Sequence, residues 1–227
     1  MRLNWGSNIK IAILGAGAMG SVYAAMLAES GNQVIVIDTW KEHIKAITNF
    51  GLRLEGASGN RTVGGITASD KIASALGADL FVIATKTYDV ERVSKEISKV
   101  VSKNSPVLAI QNGLGSAEKV AQHIDKDQVI LGVADGFGAS VVKPGHVHHN
   151  AMNLIRLGSF SKGGDPLIKN IVEIWKAAGF RVKAFADIDR LVWEKFLCNV
   201  TFSAPCTVFN CKIGELMETY PRWKIAL

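Results

Sequence analysis

Short runs of unbroken apolar residues alternate with stretches of helical spacing along most of the chain. Lys10–Gly15 reads KIAILG, the pattern of a parallel strand buried on both faces. The segment SVYAAMLAESG follows, Ala-rich and helical in period, and stops at Gly31. A second apolar run, Gln33–Asp38, completes a strand-turn-helix-strand unit within about thirty residues. Further strands are predicted at Asp79–Thr85, Val107–Gln111 and Val129–Val133, with helices at Asp89–Val101 and Ser116–His123. Past Gly132, glycines and short β-like runs through GHVHHNAMNLIRLGSF suggest antiparallel strands. A helix over Pro166–Ala178, a strand over Arg181–Phe185 and helical texture from Asp187 to Tyr220 complete the pattern. The fold class is therefore α/β: a Rossmann-type, doubly wound parallel sheet followed by a short helical C-terminal domain. The division falls at residues 1–186 and 187–227.

Composition changes this picture little. Hydrophobic residues make up 48% and charged residues 20%, ordinary for a protein with a real core. The net charge of +6 raises nucleic acid as a partner, but the lysines and arginines are scattered and lack interleaved aromatics. A positive field that attracts small anions fits better, so no nucleic acid is expected. No apolar run is long enough to span a membrane and no signal peptide is evident, so no membrane partner is expected. Cys198, Cys206 and Cys211 form no CxxC and cannot all pair, which suits a reducing cytoplasm.

Gly15-Ala16-Gly17-Ala18-Met19-Gly20 fits G-x-G-x-x-G, set between an apolar strand and a helix. The first glycine permits the tight turn, the second lets backbone approach a pyrophosphate, and the third lets helix pack on strand. Asp38 ends the next strand, where a carboxylate accepts ribose hydroxyls and repels a 2′-phosphate. It equally suits a cap for the helix beginning near Lys41, whose ammonium offers a cation against a phosphate. These residues call for a nicotinamide dinucleotide and leave NADH possible.

Several further segments together resemble the ketopantoate reductase (2-dehydropantoate 2-reductase) family. They are ATKTYD with Lys86, IQNGLG with Asn112, the PGHVHH stretch, and above all LVWEKFLCNVTFSAPCTVFNCKIGEL. The resemblance implies reduction of ketopantoate to pantoate, in pantothenate and coenzyme A biosynthesis, with NADPH as the usual cofactor. It implies that Lys195 donates the proton, that Asn199 and Ser203 contact substrate, and that Asn112 lies between nicotinamide and substrate. Lys86 would bind cofactor, and Gly138 or Ala139 would line the cofactor loop.

The residues suit that chemistry on their own terms. Reducing a 2-oxo acid needs a hydride, a proton for the developing alkoxide and positive charge beside it. Lys195, Asn199 and Ser203 stand at i, i+4 and i+8, drifting slowly along one side of a helix. Leu191, Val192, Trp193, Phe196, Leu197, Val200 and Phe202 make the surroundings apolar enough to desolvate an ammonium. Gln111-Asn112-Gly113 and Lys86 end strands at the carboxyl edge, where open α/β sheets bind ligands, although Asn-Gly is also a common turn pair. His146, His148 and His149 alternate across a strand without a carboxylate or Cys at ligand spacing, so no metal is expected. Ile213 and Ser203 occupy places where the family offers asparagine, and family members normally continue into a longer helical domain. Three functions stay open: the ketopantoate reductase itself, a related 2-oxo acid reductase, and a dinucleotide-binding protein without turnover. A homodimer would cover apolar surface on the short helical part.

Overall fold

The computed structural model describes residues 8–161 and 166–226. In chain order the strands are β1 (Lys10–Leu14), β2 (Gln33–Ile37), β3 (Leu52–Gly56), β4 (Arg61–Val63), β5 (Thr67–Ser69), β6 (Leu80–Ile83), β7 (Val107–Ala109), β8 (Val129–Asp135), β9 (Gly138–Lys143), β10 (His146–Ala151), β11 (Leu154–Ser159) and β12 (Val182–Ala184). The helices are α1 (Ala18–Glu29), α2 (Lys41–Phe50), α3 (Val90–Ile97), α4 (Ser116–Ala121), α5 (Pro166–Ala177), α6 (Ile188–Cys198), α7 (Ala204–Phe209), α8 (Ile213–Glu218) and α9 (Tyr220–Ala226).

Among the described residues the main sheet has eight strands in the order β12-β11-β8-β7-β6-β1-β2-β5. The run from β8 to β5 is parallel, whereas β11 pairs antiparallel with β8 and returns the direction. β1 sits in the middle, flanked by β2 and β6, and its apolar run is buried from Ile11 to Leu14 because helices cover both faces. The chain switches sides at β1: it goes to β2 first and returns to β6, which opens a crevice at the carboxyl edge between them.

A second sheet, ordered β4-β3-β10-β9, joins the expected antiparallel strands β9 and β10 to β3 and β4, which the sequence pattern does not signal. Its β3 pairs in parallel with β10, from Arg53 opposite His146 to Gly56 opposite His149. The sheet covers the far side of α1, which touches β1 and β2 as well as β3, β4, β9 and β10. This accounts for the composition of α1. Every residue from Gly20 to Leu27 is buried, and most are small and apolar around the whole circumference. Tyr23, Met26 and Leu27 are the large exceptions. The Tyr23 ring centroid lies 5.1 Å from that of Trp175 and 5.9 Å from that of Phe180. Burial pushes its phenol pKa well up. On the opposite face of the main sheet, Phe81 and Ile83 pack with Val90, Ile97, Val120 and Val129 under α3 and α4.

Local differences have local causes. The expected helix at Asp89–Val101 begins with a 3₁₀ turn at Thr87–Asp89 and ends at Ile97, and the next ends at Ala121. The C-terminal stretch is helical but interrupted three times, the last at extended Thr219 between α8 and α9. A π turn runs over Asn199–Ser203, and Asn210 takes a left-handed conformation, φ 47°, that stops α7. Cys198, Cys206 and Cys211 are unpaired. Among the described residues, no helix is long and apolar enough to cross a membrane.

Candidate functional site

The glycine loop leaves β1 at Leu14 and enters α1 at Ala18, so its shape is set by both. Gly15 takes φ +99°, and a Cβ there would press on the Thr85 backbone nitrogen at 2.8 Å. A Cβ on Gly20 would overlap the Gly15 carbonyl oxygen, so this glycine lets the helix close on its own loop as well as on Ala84. Gly17 is different. It is exposed, and a Cβ there meets nothing within 4 Å. Gly17 is also the N-cap of α1, and no side chain caps that end. The first amides of a twelve-residue helix therefore open onto empty space with the positive end of its dipole.

Asp38 does two things at once. Its Oδ2 accepts from the Ala16 backbone N–H at 2.6 Å, and its Oδ1 from the Trp40 N–H at 2.9 Å. It is not the N-cap of α2; Trp40 is. The carboxylate thus braces the glycine loop against the start of α2, and it also lines the outer of two adjoining cavities.

That outer cavity, of about 440 Å³, runs from Gly15 and Gly17 past Asp38 and Thr39 to Asp70, Lys86 and Arg92. Asp38, Asp70, Asp89 and Glu96 face it against only two cations, Lys86 and Arg92. Arg92 is already paired with Asp89 at 2.9 Å, and Glu96 with Lys99 at 2.7 Å. Lys41 is not among the lining residues.

The inner crevice, of about 370 Å³, is where separate elements meet. Gly17, Ala18 and Met19 come from the loop, Lys86 follows β6, Asn112 follows β7, Ala139 belongs to β9, and Lys195 reaches in from α6. Gly138, Asn199 and Ser203 are not among the residues that line it, and Ser203 is exposed. The Thr85 Oγ1 and Gln111 Oε1 atoms are buried there without a hydrogen-bond partner. Open space at Gly17, an uncapped helix end and two orphaned polar atoms fit an elongated polar ligand with an anionic middle. A third cavity, of about 540 Å³, lies beyond Asn112 and shares Gln111, Asn112 and Lys195 with the crevice. Leu131, Val133, Phe160, Val192 and Trp193 make much of its wall apolar.

Lys195 has charged company that spacing did not reveal. Its Nζ lies 3.9 Å from Asp135 Oδ1, at the end of β8, and Asp135 is paired with Arg156 on β11. Arg156 also faces Glu194 at 3.9 Å. The expected apolar surround is incomplete: Trp193, Leu197 and Val200 are exposed, whereas Ile188 and Leu191 anchor α6 beside Val133. No local signal marks Asp135 or Arg156. They meet because β11 reverses direction and brings its beginning to the carboxyl edge.

The family model described as ketopantoate reductase PanE/ApbA matches residues 11–162, and its C-terminal counterpart matches residues 187–227. The chain belongs to the ketopantoate reductase family. A 2-dehydropantoate 2-reductase of Lactococcus lactis is 28% identical over 214 residues, covering 94% of this chain and 68% of that protein. One from Halobacterium salinarum is 27% identical, over 94% of this chain and 70% of its own length. The chain thus spans about two thirds of these ketopantoate reductase relatives. Among solved structures, 2-dehydropantoate 2-reductase from Geobacter metallireducens superposes with a TM-score of 0.90 at 28% identity, covering 96% of this chain and 71% of that one. A D-mandelate dehydrogenase solved with NADH and anilino(oxo)acetate gives a TM-score of 0.87 at 26% identity, over 96% and 70% of the two chains.

Proposed function

We propose that this chain carries the dinucleotide site and the proton donor of a reductase that turns ketopantoate into pantoate with NAD(P)H, serving pantothenate and coenzyme A synthesis in the cytoplasm. Residues 1–186 form the dinucleotide-binding domain, and residues 187–227 begin a helical domain for substrate and dimer contacts. The observation that carries this is the meeting of Lys195, Asn112 and the Gly17 edge of α1 around one crevice.

When bound, a reduced nicotinamide supplies the hydride. Everything else falls to the chain. Gly15–Gly20 and the open end of α1 hold the pyrophosphate, and Thr85 and Gln111 offer the orphaned atoms already described. The Lys195 ammonium polarises the 2-oxo group and gives its proton to the developing alkoxide, a role worth typically 10²–10⁴-fold. Asp135 holds that ammonium in place from 3.9 Å. Asn112 orients the substrate from the β7 edge; Asn199 and Ser203, which the resemblance also assigns to substrate, stand on the π turn outside the crevice. The neighbouring apolar cavity takes the substrate's side chain.

The cofactor's adenosine end decides between NADPH and NADH. Family habit favours NADPH. Of the four carboxylates lining the outer cavity, Asp89 is paired with Arg92 and Glu96 with Lys99, which leaves Asp38 and Asp70 facing Lys86. Like charge within a few ångströms disfavours a 2′-phosphate by about 1 kcal/mol or more in partly exposed surroundings. NADPH therefore stays the default, with NADH also accepted and discrimination between the two weak. The same observation favours a second function, an NADH-linked reductase of another 2-oxo acid. Comparing kcat/KM for ketopantoate and an aryl 2-oxo acid, each with NADH and NADPH, separates the two. Tight binding without oxidation of either dinucleotide would leave a binding protein. A preference for NADPH above about a hundred-fold, near 2.7 kcal/mol, would mean Asp38 serves only the loop.

A further inference from the structure

His43 is fully buried on α2, far from the proton-transfer chemistry, yet both of its ring nitrogens are engaged. Its Nδ1 accepts from the backbone N–H of Gly145, in the turn between β9 and β10, at 3.0 Å. A backbone N–H can only donate, so Nδ1 carries no proton and the hydrogen sits on Nε2. Nε2 lies 3.1 Å from Ser21 Oγ and therefore donates to it. The Ser21 hydroxyl in turn donates to the Ala16 carbonyl at 2.9 Å. Ala16 is thus held at both ends by side chains, its carbonyl by Ser21 and its N–H by Asp38.

The consequence follows from peptide geometry. In a trans peptide the carbonyl and the next N–H point in opposite directions, and no peptide among the described residues is cis. Fixing the Ala16 carbonyl inward, on Ser21, turns the Gly17 N–H the opposite way, and Gly17 lines both adjoining cavities. Trp40 stacks on the other side of the His43 ring at 4.8 Å and 14°, and its own N–H is tied to Asp38. The second sheet, which lines the crevice only through Ala139, therefore reaches the glycine loop through Gly145, His43 and Ser21.

We propose that His43 and Ser21 are positioning residues for the dinucleotide: the chain Gly145–His43–Ser21–Ala16 aims the Gly17 N–H at the ligand's anionic centre. This rests on the dinucleotide reading above. Neither residue touches the ligand. Their effect is on affinity, through one peptide plane.

The test is a fluorescence titration of the full chain with NADH, alongside Ser21→Ala, His43→Leu, the double variant, and His43→Gln. Losing one aimed hydrogen bond costs roughly ten-fold in affinity. Each single variant should weaken NADH binding by about that factor at a temperature where it is fully folded. The double variant should be no worse than either single one, because both break the same chain. His43→Gln keeps a donor for Ser21 and should recover most of the affinity. A purely structural role would lower the melting temperature and leave the affinity of the folded variants within two-fold, which overturns the proposal. If the wild type binds neither NADH nor NADPH, the dinucleotide reading fails instead. One arm needs no variant: long-range ¹H–¹⁵N spectra of the wild type should show the His43 proton on Nε2. A proton on Nδ1 overturns the chain as drawn.

Discussion

The Rossmann body and the C-terminal helices hold their shares of the site by different means. In the body the decisive groups are backbone: the turn at Gly15, the closure at Gly20 and the open end of α1. They are fixed by packing so dense that α1 has no polar side. Beyond Asp187 the decisive groups are side chains on a helix anchored by little more than Ile188, Leu191 and the Asp135–Arg156 pair. Apolar residues there face outward: Leu197 is 58% exposed, Val208 77% and Ile225 72%. Where the body is packed, as at Gly20, a disturbance costs fold and ligand together; at open Gly17 it costs the ligand alone, and in the helices it costs chemistry while the fold stays.

Lys195→Ala tests that contrast most severely. Turnover should fall by about 10²–10⁴-fold while NADH affinity and melting temperature stay near wild type. A variant that keeps most of its turnover would return Lys195 to the rim of a helix. In the body, Gly20→Ala should cost about 4 kcal/mol or more in a denaturant melt, since its Cβ overlaps the Gly15 carbonyl. Gly17→Val, in open space, should leave stability almost intact and abolish dinucleotide binding in calorimetry. If both glycine variants behaved alike, backbone placement would not be what shapes the loop.

Acid sharpens the contrast from another direction. Burial lowers the pKa of His43 and His149, both in the body, and residues 187–227 contain no histidine. The native state keeps these rings neutral, while the unfolded chain takes up protons below about pH 6.5. Their contribution is therefore complete above that pH and declines as pH falls through it, by up to about 1.4 kcal/mol per unit for each ring. Urea melts at pH 7.5, 6 and 5 should show the decline, and a flat profile would contradict the neutral, hydrogen-bonded His43. The smallest effect belongs to Leu197→Ser, which should shift the stability of the monomer by no more than about 0.5 kcal/mol. A larger loss would show that the outward apolar face is already covered in solution.

What the sequence disclosed follows the range of the forces involved. The β1-loop-α1-β2 unit was legible because its signals, an apolar run, three glycines and a terminal Asp38, lie within thirty positions of one another. The antiparallel strands after Gly132 were legible as a change of texture, but their partner β3 was not, since Leu52–Gly56 is a short strand of mixed polarity. Lys195 and Asn112 were found by resemblance. Asp135, Arg156 and His43 were missed because each gains its meaning from a partner far along the chain: Gly145 for His43, Lys195 for Asp135. The expected sweep from Lys195 through Asn199 to Ser203 assumed an unbroken α-helix, and a π turn occupies that stretch.

The pairing of β3 with β10 joins Arg53–Gly56 to His146–His149, segments roughly ninety residues apart, so its loop closes late and slowly. Until it does, α1 has a cover on one side only, and its second apolar face is in water. During synthesis about four fifths of the chain must leave the ribosome before that face is fully sheltered, because Trp175 and Phe180 also pack on Tyr23. The helix that presents the anion site thus leaves an apolar face open to water for a time. Assistance from a chaperone would be needed earliest at that helix.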